Sequence, residues 1–304
     1  MVPLINRFTP DEKNVPLWGR SIDMRKIISA SRRTDLPASF PAWLAGALDA
    51  ESVRVFGPRR RMYTVDLRPE SVHTLVLWSK DFTSLIENRY HLRDLVSKYS
   101  QIYLHFTITG LGGSFIESGV PAPEAALRQL DDLIPIAGSP ESISVRFDPI
   151  LFWKDGGETR SNLSFFDTLA PELESRALTR VRISFAQWYG KARRRAGNRG
   201  FDFLDPDEQE KRDIAARLAT SADHRGLSLY ACSQSFLDGV PGIHPSSCID
   251  GNLLQSLHPE REPVSLRKDR GQRKDCLCTE SVDIGSYAQA CPHSCLYCYA
   301  NPKV

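Results

Sequence analysis

The fold is decided by the stretch Asp207-Glu-Gln-Glu-Lys-Arg-Asp-Ile-Ala-Ala-Arg-Leu-Ala-Thr-Ser-Ala-Asp-His224, followed by Arg225-Gly226 and then Leu227-Ser-Leu-Tyr-Ala-Cys232. The first part has helical periodicity. Asp205 is placed to cap it, Pro206 suits a first turn, Glu208 completes a capping pattern and Gly226 stops it. The second part is a short apolar run of the kind that forms a buried strand. A helix running through a glycine into such a strand is the repeating unit of an α/β fold.

The same alternation extends back along the chain. Strands are expected at Lys26–Ser31, Ser52–Phe56, Thr74–Trp78, Ile102–Thr109, Ile143–Phe147, Val181–Phe185 and Leu227–Cys232. Helices are expected around Pro41–Ala50, Phe82–Lys98, Pro123–Ile136 and Phe165–Leu173. Six or seven βα units fit a complete or partial (β/α) TIM-type barrel better than a doubly wound sheet with a separate second domain. The expected organisation is an N-terminal extension over residues 1–25, the barrel over 26–265 and a cysteine-rich tail over 266–304. The charged segment Arg267–Asp275 reads as a linker or exposed loop into that tail, and Lys191–Gly200 as a long surface loop.

The chain's 304 residues suffice for a sizeable core, and small stapled scaffolds are excluded. Its 39 Lys+Arg against 37 Asp+Glu leave a formal charge of +2. No global field therefore draws the protein to nucleic acid or a membrane. There is no run of 18 apolar residues, and Met1–Lys26 lacks the apolar centre of a secretion signal, so a soluble cytosolic protein is expected.

In a barrel, chemistry gathers at the C-terminal ends of the strands. That selects Ser29, Arg32, Arg33 and Asp35, then Trp78 and Lys80, then His105, Thr107 and Thr109. Arg146, Asp148, Ser184, Gln187, Cys232 and Gln234 complete the set. Arg32 and Arg33, one of them oriented by Asp35, and Arg146 suit a carboxylate or phosphate of a bound cofactor or substrate, but also suit ion pairs that only fasten loops. Lys80, His105 and Asp148 are candidate proton carriers, although a lone histidine on a strand is more often structural. Pro58-Arg-Arg-Arg61 and Lys191-Ala-Arg-Arg-Arg195 are local basic patches without interleaved aromatics, so nucleic acid is the minor alternative among partners.

The most specific feature is Cys291-Pro-His-Ser-Cys295-Leu-Tyr-Cys298-Tyr-Ala, carrying three of the chain's seven cysteines. Three thiolates on one tight loop can hold three irons of a 4Fe–4S cluster and leave the fourth open to an exogenous ligand. Zinc completed by His293 or another cysteine is the alternative. Cys232, Cys248, Cys276 and Cys278 form a second candidate set, for zinc or an auxiliary cluster. The bland reading makes Cys232 and Cys248 ordinary core residues.

The Cys-x3-Cys-x2-Cys loop, with Tyr297 before its last cysteine, resembles the signature of the radical S-adenosylmethionine superfamily. In its Cys-Pro-His-x-Cys-x-Tyr-Cys-Tyr-Ala form it is similar to the spore photoproduct lyase branch. The superfamily's Gly-Gly-Glu element is echoed by Gly112-Gly113-Ser114, which lacks the carboxylate. The whole chain resembles the domain-of-unknown-function family numbered 1848. That likeness is carried by Ser29-Ala-Ser-Arg-Arg-Thr-Asp35, Val76-Leu-Trp-Ser-Lys80, Arg146-Phe-Asp-Pro-Ile150, Cys248-Ile-Asp250, Cys276-Leu-Cys278, Asp283-Ile-Gly285 and the terminal cysteines. The resemblance implies a barrel enzyme with a 4Fe–4S cluster and S-adenosylmethionine near Tyr297, which reductively cleaves that cofactor to a 5′-deoxyadenosyl radical. It also implies an electron donor of flavodoxin or ferredoxin type. The superfamily mostly carries this loop near its N-terminus, whereas here it ends six residues before Val304. A rival expectation is a non-catalytic zinc or iron–sulfur protein that binds a partner such as nucleic acid.

Overall fold

A computed structural model describes residues 24–56 and 62–303. The basic stretch Pro58–Arg61 and nearly all of the expected N-terminal extension lie outside the described residues.

Seven strands lie side by side in chain order, all parallel: Lys26–Ala30, Val72–Ser79, Ile102–Thr107, Ile143–Ile150, Arg180–Phe185, Ser228–Cys232 and Ile243–Ser246. A short eighth strand, Val282–Asp283, pairs in parallel with the other side of Lys26–Ala30. Long crossovers, most of them containing helices, make an all-parallel sheet possible and cover it, which is why Val72–Ser79 and Ile102–Thr107 read as nearly unbroken apolar runs. Among the described residues no pairing joins Ile243–Ser246 to Val282–Asp283, so the hydrogen-bonded sheet is open there and is not a closed ring. The fold is a mixed α/β architecture around one eight-stranded parallel sheet.

Alternation along the strands gives the sheet two different faces. Ile28, Leu75, Leu77, Leu104, Phe106, Val145, Phe147, Val181 and Ile183 belong to the main apolar core. Helix Pro123–Ala137 buries Ala126, Leu127, Leu130 and Leu133, and helix Glu208–Asp223 buries Ile214, Ala215, Leu218, Ala219 and Ala222. The intervening strand positions Ile27, Val76 and Tyr103 pack instead with Cys248, Ile249, Leu254, Val264, Cys276 and Cys278. The second face is therefore covered by the chain's own 248–278 segment.

Several expectations need correction. The 208–223 helix is capped by Asp207, whose side chain accepts from Glu210 N at 2.8 Å, and not by Asp205. Ser52–Phe56 is a strand but pairs antiparallel with Met62–Asp66, outside the large sheet. The single helix expected over Phe82–Lys98 is interrupted by Asn88, Tyr90 and His91, all with positive φ, leaving Thr83–Ile86 and Leu92–Val96. The stretch read as the Lys191–Gly200 loop contains helix Gly190–Asn198, which buries only Ala192 and Ala196. The tail does more than pack on the barrel, because Val282–Asp283 is part of the sheet. Among the described residues no helix is long and apolar enough to cross a membrane.

Candidate functional site

At the carboxyl ends of the strands lies a cavity of about 890 Å³, and all seven cysteines border it. Arg32, Arg33, Asp35, Lys80, Arg146 and Asp148 border it too, as does Tyr297. Of the strand-end candidates, Ser29, His105 and Thr109 are missing from its walls, and His105 is the one read as a proton carrier. That side chain is fully buried, stacks on Trp78 with ring centroids 4.0 Å apart, and sets Nε2 2.7 Å from the Cys248 carbonyl oxygen. Burial, reinforced by Arg182 and Arg146, drives its pKa well below the usual histidine value. His105 thus supports the Cys248 segment from behind the cavity, and the expectation that it carries protons there is corrected.

The cysteine loop is fastened from several sides. Leu296 N donates to Ile116 O at 3.1 Å, Gly119 N to His293 O at 3.1 Å, and Lys303 N to Cys291 O at 2.8 Å. Gly119 must lack a side chain, because a Cβ there would overlap the Pro292 carbonyl oxygen and come within 2.9 Å of His293 Cα. Arg195, from the 190–198 helix, donates to the carbonyls of Leu296 at 3.0 Å and Cys298 at 2.9 Å. Arg194, read as a remote loop arginine, also borders the cavity.

His293 ties the loop to the sheet. One ring nitrogen lies 2.9 Å from Gly119 O and the other 2.8 Å from Asp35 Oδ2. Burial lowers its pKa, but the Asp35 carboxylate outweighs that and leaves it raised. Both nitrogens are engaged, so His293 does not offer a lone pair to a zinc ion held by the three cysteines. Asp35 also accepts from Ala38 N at 3.1 Å, Ser79 Oγ at 2.7 Å and Lys80 N at 2.8 Å. Its carboxylate is thus taken up in anchoring the rim.

Beneath the loop, Lys80 Nζ lies 3.0 Å from Glu117 Oε1, which also accepts from the Tyr297 hydroxyl. Burial opposes the Lys80 charge, yet Glu117 and Cys295 hold its pKa raised. Glu117 is fully buried and its Oε2 has no partner. Sequence reading missed this carboxylate, although it follows the Gly112-Gly113-Ser114 element by only three residues. Cys291, Cys295 and Cys298 are each pushed up chiefly by burial; Lys80 counters this at Cys295, and Arg195 and Lys80 do so at Cys298.

On the other wall, Asp283 gathers Ser31 Oγ at 2.7 Å, Arg32 N at 2.8 Å, Gly285 N at 3.0 Å and Ser29 Oγ at 3.1 Å. Arg32 donates to Ser281 Oγ at 2.8 Å and approaches Asp269 at 3.4 Å, but its Nε and Nη1 have no hydrogen-bond partner. Asp269 belongs to the segment expected to be a linker, whose Gly271, Gln272 and Arg273 border the cavity. Arg146 pairs with Asp148, which also accepts from Ser184 Oγ. The Arg146 Nη1 lies 3.1 Å from Cys248 Sγ. Cys232 Sγ is 2.9 Å from the same sulfur. Among the described residues no group of three or more His, Cys, Asp and Glu side chains is arranged to hold a single metal ion.

The fold and site define an α/β protein with a thiol-rich, arginine-lined cavity at the strand ends of a parallel sheet. The chain belongs to the family Domain of unknown function (DUF1848), which matches residues 27–300. No curated protein matches it.

Proposed function

We propose that this protein is an iron–sulfur enzyme of radical S-adenosylmethionine type, with Cys291, Cys295 and Cys298 as ligands of a 4Fe–4S cluster. The observation that carries this reading is that the three thiols face one large cavity while His293, the nearest alternative ligand, has both ring nitrogens engaged. Thiolates of a cubane each bind a different iron, so they need not surround one ion as zinc ligands must. When bound, the cluster and its cofactor would supply reductive cleavage of S-adenosylmethionine to a 5′-deoxyadenosyl radical.

The chain's own residues divide the remaining work. Asp35 and His293 fix the loop, and Arg195 holds its carbonyls. Lys80 and Glu117 form a buried pair under Tyr297. Arg32, with two unpartnered donors, and Arg146 provide cationic walls for an anionic group of cofactor or substrate. Asp148 keeps Arg146 oriented and is the proton carrier nearest to it. In the same reading, the sequential strand order is that of a (β/α) barrel whose last turn closes through the 248–278 segment instead of a strand ladder.

The test is anaerobic reconstitution with iron and sulfide, reduction, addition of S-adenosylmethionine and assay for 5′-deoxyadenosine. Formation of that product, lost in Cys295→Ala, supports the assignment. A colourless protein that holds only zinc and yields no 5′-deoxyadenosine refutes it and favours the non-catalytic alternative.

A further inference from the structure

Four thiols that play no part in the terminal loop meet on the inner face of the sheet. Cys232 ends the Ser228–Cys232 strand, and its sulfur lies 2.9 Å from that of Cys248. Cys248, Cys276 and Cys278 lie in one buried cluster, with Cys232 packed against it. Ile249 N donates to Cys278 Sγ at 3.3 Å, the backbone-to-sulfur bond that commonly supports a ligated thiolate. Cys248, Cys276 and Cys278 are buried, and Cys232 is partly so. We propose that Cys232, Cys248, Cys276 and Cys278 bind one zinc ion as a closed four-thiolate site in the wall of the cavity, opposite the terminal cysteine loop.

The number and kind of donors suit this assignment. Four soft thiolates complete a tetrahedral zinc site without water or a fifth protein ligand. The closeness of the Cys232 and Cys248 sulfurs separates one ion from a cubane. A Zn–S bond of about 2.3 Å sets sulfurs roughly 3.8 Å apart, whereas a cluster spreads its four thiolates over four irons. The Cys232 and Cys248 sulfurs already lie side by side, and the ligand set is not preformed. Moving Cys232 and Cys248 from 2.9 Å to that spacing takes side-chain shifts on the order of 1 Å.

Charge supplies the independent argument. Three guanidiniums surround the group, and their carboxylate partners do not account for all of them. Arg146 has Asp148 but also points Nη1 at Cys248 Sγ. Arg32 has Asp269 at 3.4 Å and Asp283 at 3.8 Å, although its Nε and Nη1 make no hydrogen bond, so the uncompensated charge is chiefly that of Arg182. Arg182 is 1% exposed and makes only neutral contacts, to Ser246 Oγ at 3.2 Å, Ser247 O at 2.9 Å, Ser144 Oγ and the Tyr103 hydroxyl at 3.5 Å. A buried cation without an anion is costly. A zinc ion with four thiolates carries a net charge of −2 and provides the missing counter-charge. This site shares no ligand with the terminal loop and does not depend on the proposed function.

The full-length chain with Cys291, Cys295 and Cys298 all replaced by Ala is purified anaerobically from medium containing zinc and iron. The expected result is a colourless protein with about one equivalent of zinc, and X-ray absorption showing four sulfur ligands at about 2.3 Å. Adding Cys248→Ser should remove the zinc. Arg182→Met should weaken zinc retention against a chelator about 10- to 100-fold, as loss of an outer-shell partner does, whereas a purely packing role leaves chelator competition unchanged. A metal-free protein with a Cys232–Cys248 disulfide, or iron with acid-labile sulfide in place of zinc, overturns the proposal. Should the triple variant not fold, cobalt(II) exchanged into the wild-type chain provides the second measurement. Tetrahedral cobalt–thiolate bands that vanish in Cys248→Ser sustain the site, and their absence from wild type overturns it.

Discussion

Replacing Asp35 by Ala removes the residue on which the cysteine loop, the Lys26–Ala30 strand end and the Val72–Ser79 strand end converge. Its carboxylate accepts from Ala38 N, Ser79 Oγ, Lys80 N and His293 at 2.7–3.1 Å, with Asp35 and His293 side chains only 10% and 7% exposed. Ser79 Oγ also bonds to Asp81 O, so its hydroxyl keeps a partner. The Lys80 amide and His293 Nε2 do not, and stranding them costs about 1–3 kcal/mol each. A net loss of about 3 kcal/mol follows, at the low end for breaking a buried ion pair. For a domain of this size it lowers Tm by roughly 6–12 °C. The loss depends on pH. Because the folded state raises the His293 pKa, the ion pair contributes fully below the ordinary histidine value and is lost as pH rises through the raised folded value. Differential scanning calorimetry of wild type and Asp35→Ala should therefore give a larger Tm gap at about pH 5.5 than at about pH 9. Equal Tm values at both pH values refute the reasoning, and a pH-independent gap refutes its electrostatic part.

Three further outcomes are expected. Gly119→Ala drives a methyl group into Pro292 and His293, and should lower both stability, by about 1–3 kcal/mol, and iron uptake on reconstitution, while Gly46→Ala in the exposed face of helix Pro41–Asp49 should stabilise by about 0.5–1 kcal/mol. Arg195→Ala removes the Nη1 that donates to both the Leu296 and Cys298 carbonyls, so iron retention during gel filtration should fall although every cysteine remains. Tyr297→Phe keeps the ring and removes only the hydroxyl that reaches Glu117, so thermal melting should show a loss of about 1 kcal/mol with the iron content of wild type.

Strongly patterned elements were legible from the chain. Pro123–Ala137 and Glu208–Asp223 repeat apolar residues at helical spacing, and Ile102–Thr107 is apolar except for His105 and Thr107, so local pattern sufficed. The Ile243–Ser246 strand contains His244 and Pro245 and lies at a sheet edge, which hid it. Helix Gly190–Asn198 is mostly arginine, lysine and small residues, and only Ala192 and Ala196 mark its buried side. Among the site residues, the terminal cysteines were visible because their spacing is local. The meeting of Cys232 with Cys248, Cys276 and Cys278 depends on how the 248–278 segment crosses the sheet, and no spacing encodes that. Glu117 and Arg182 escaped notice for the same reason, since each is defined by partners far away in the chain. One sign was available: Ser144, Arg146, Asp148, Arg182 and Ser184 are polar residues alternating within two otherwise apolar strands, and such alternation in a sheet covered on both faces marks the face that carries the site.

The position of the cysteine loop at the far end of the chain follows from one short strand. Val282–Asp283 runs parallel to Lys26–Ala30, with Ile28 opposite Val282 and Ser29 opposite Asp283. Parallel neighbours release their following segments on the same side of the sheet. The chain leaving Asp283 therefore enters the space beside Ser31–Asp35, where Asp283 accepts from Ser31 and the Arg32 amide, and Asp35 receives His293. Gly285 is required at this approach, because a Cβ there would overlap Ser31 Oγ. The terminal loop thus occupies ground next to the loop that follows the first strand. What matters for a strand-end site is which strands are adjacent, and here Lys26–Ala30 and Val282–Asp283 are neighbours.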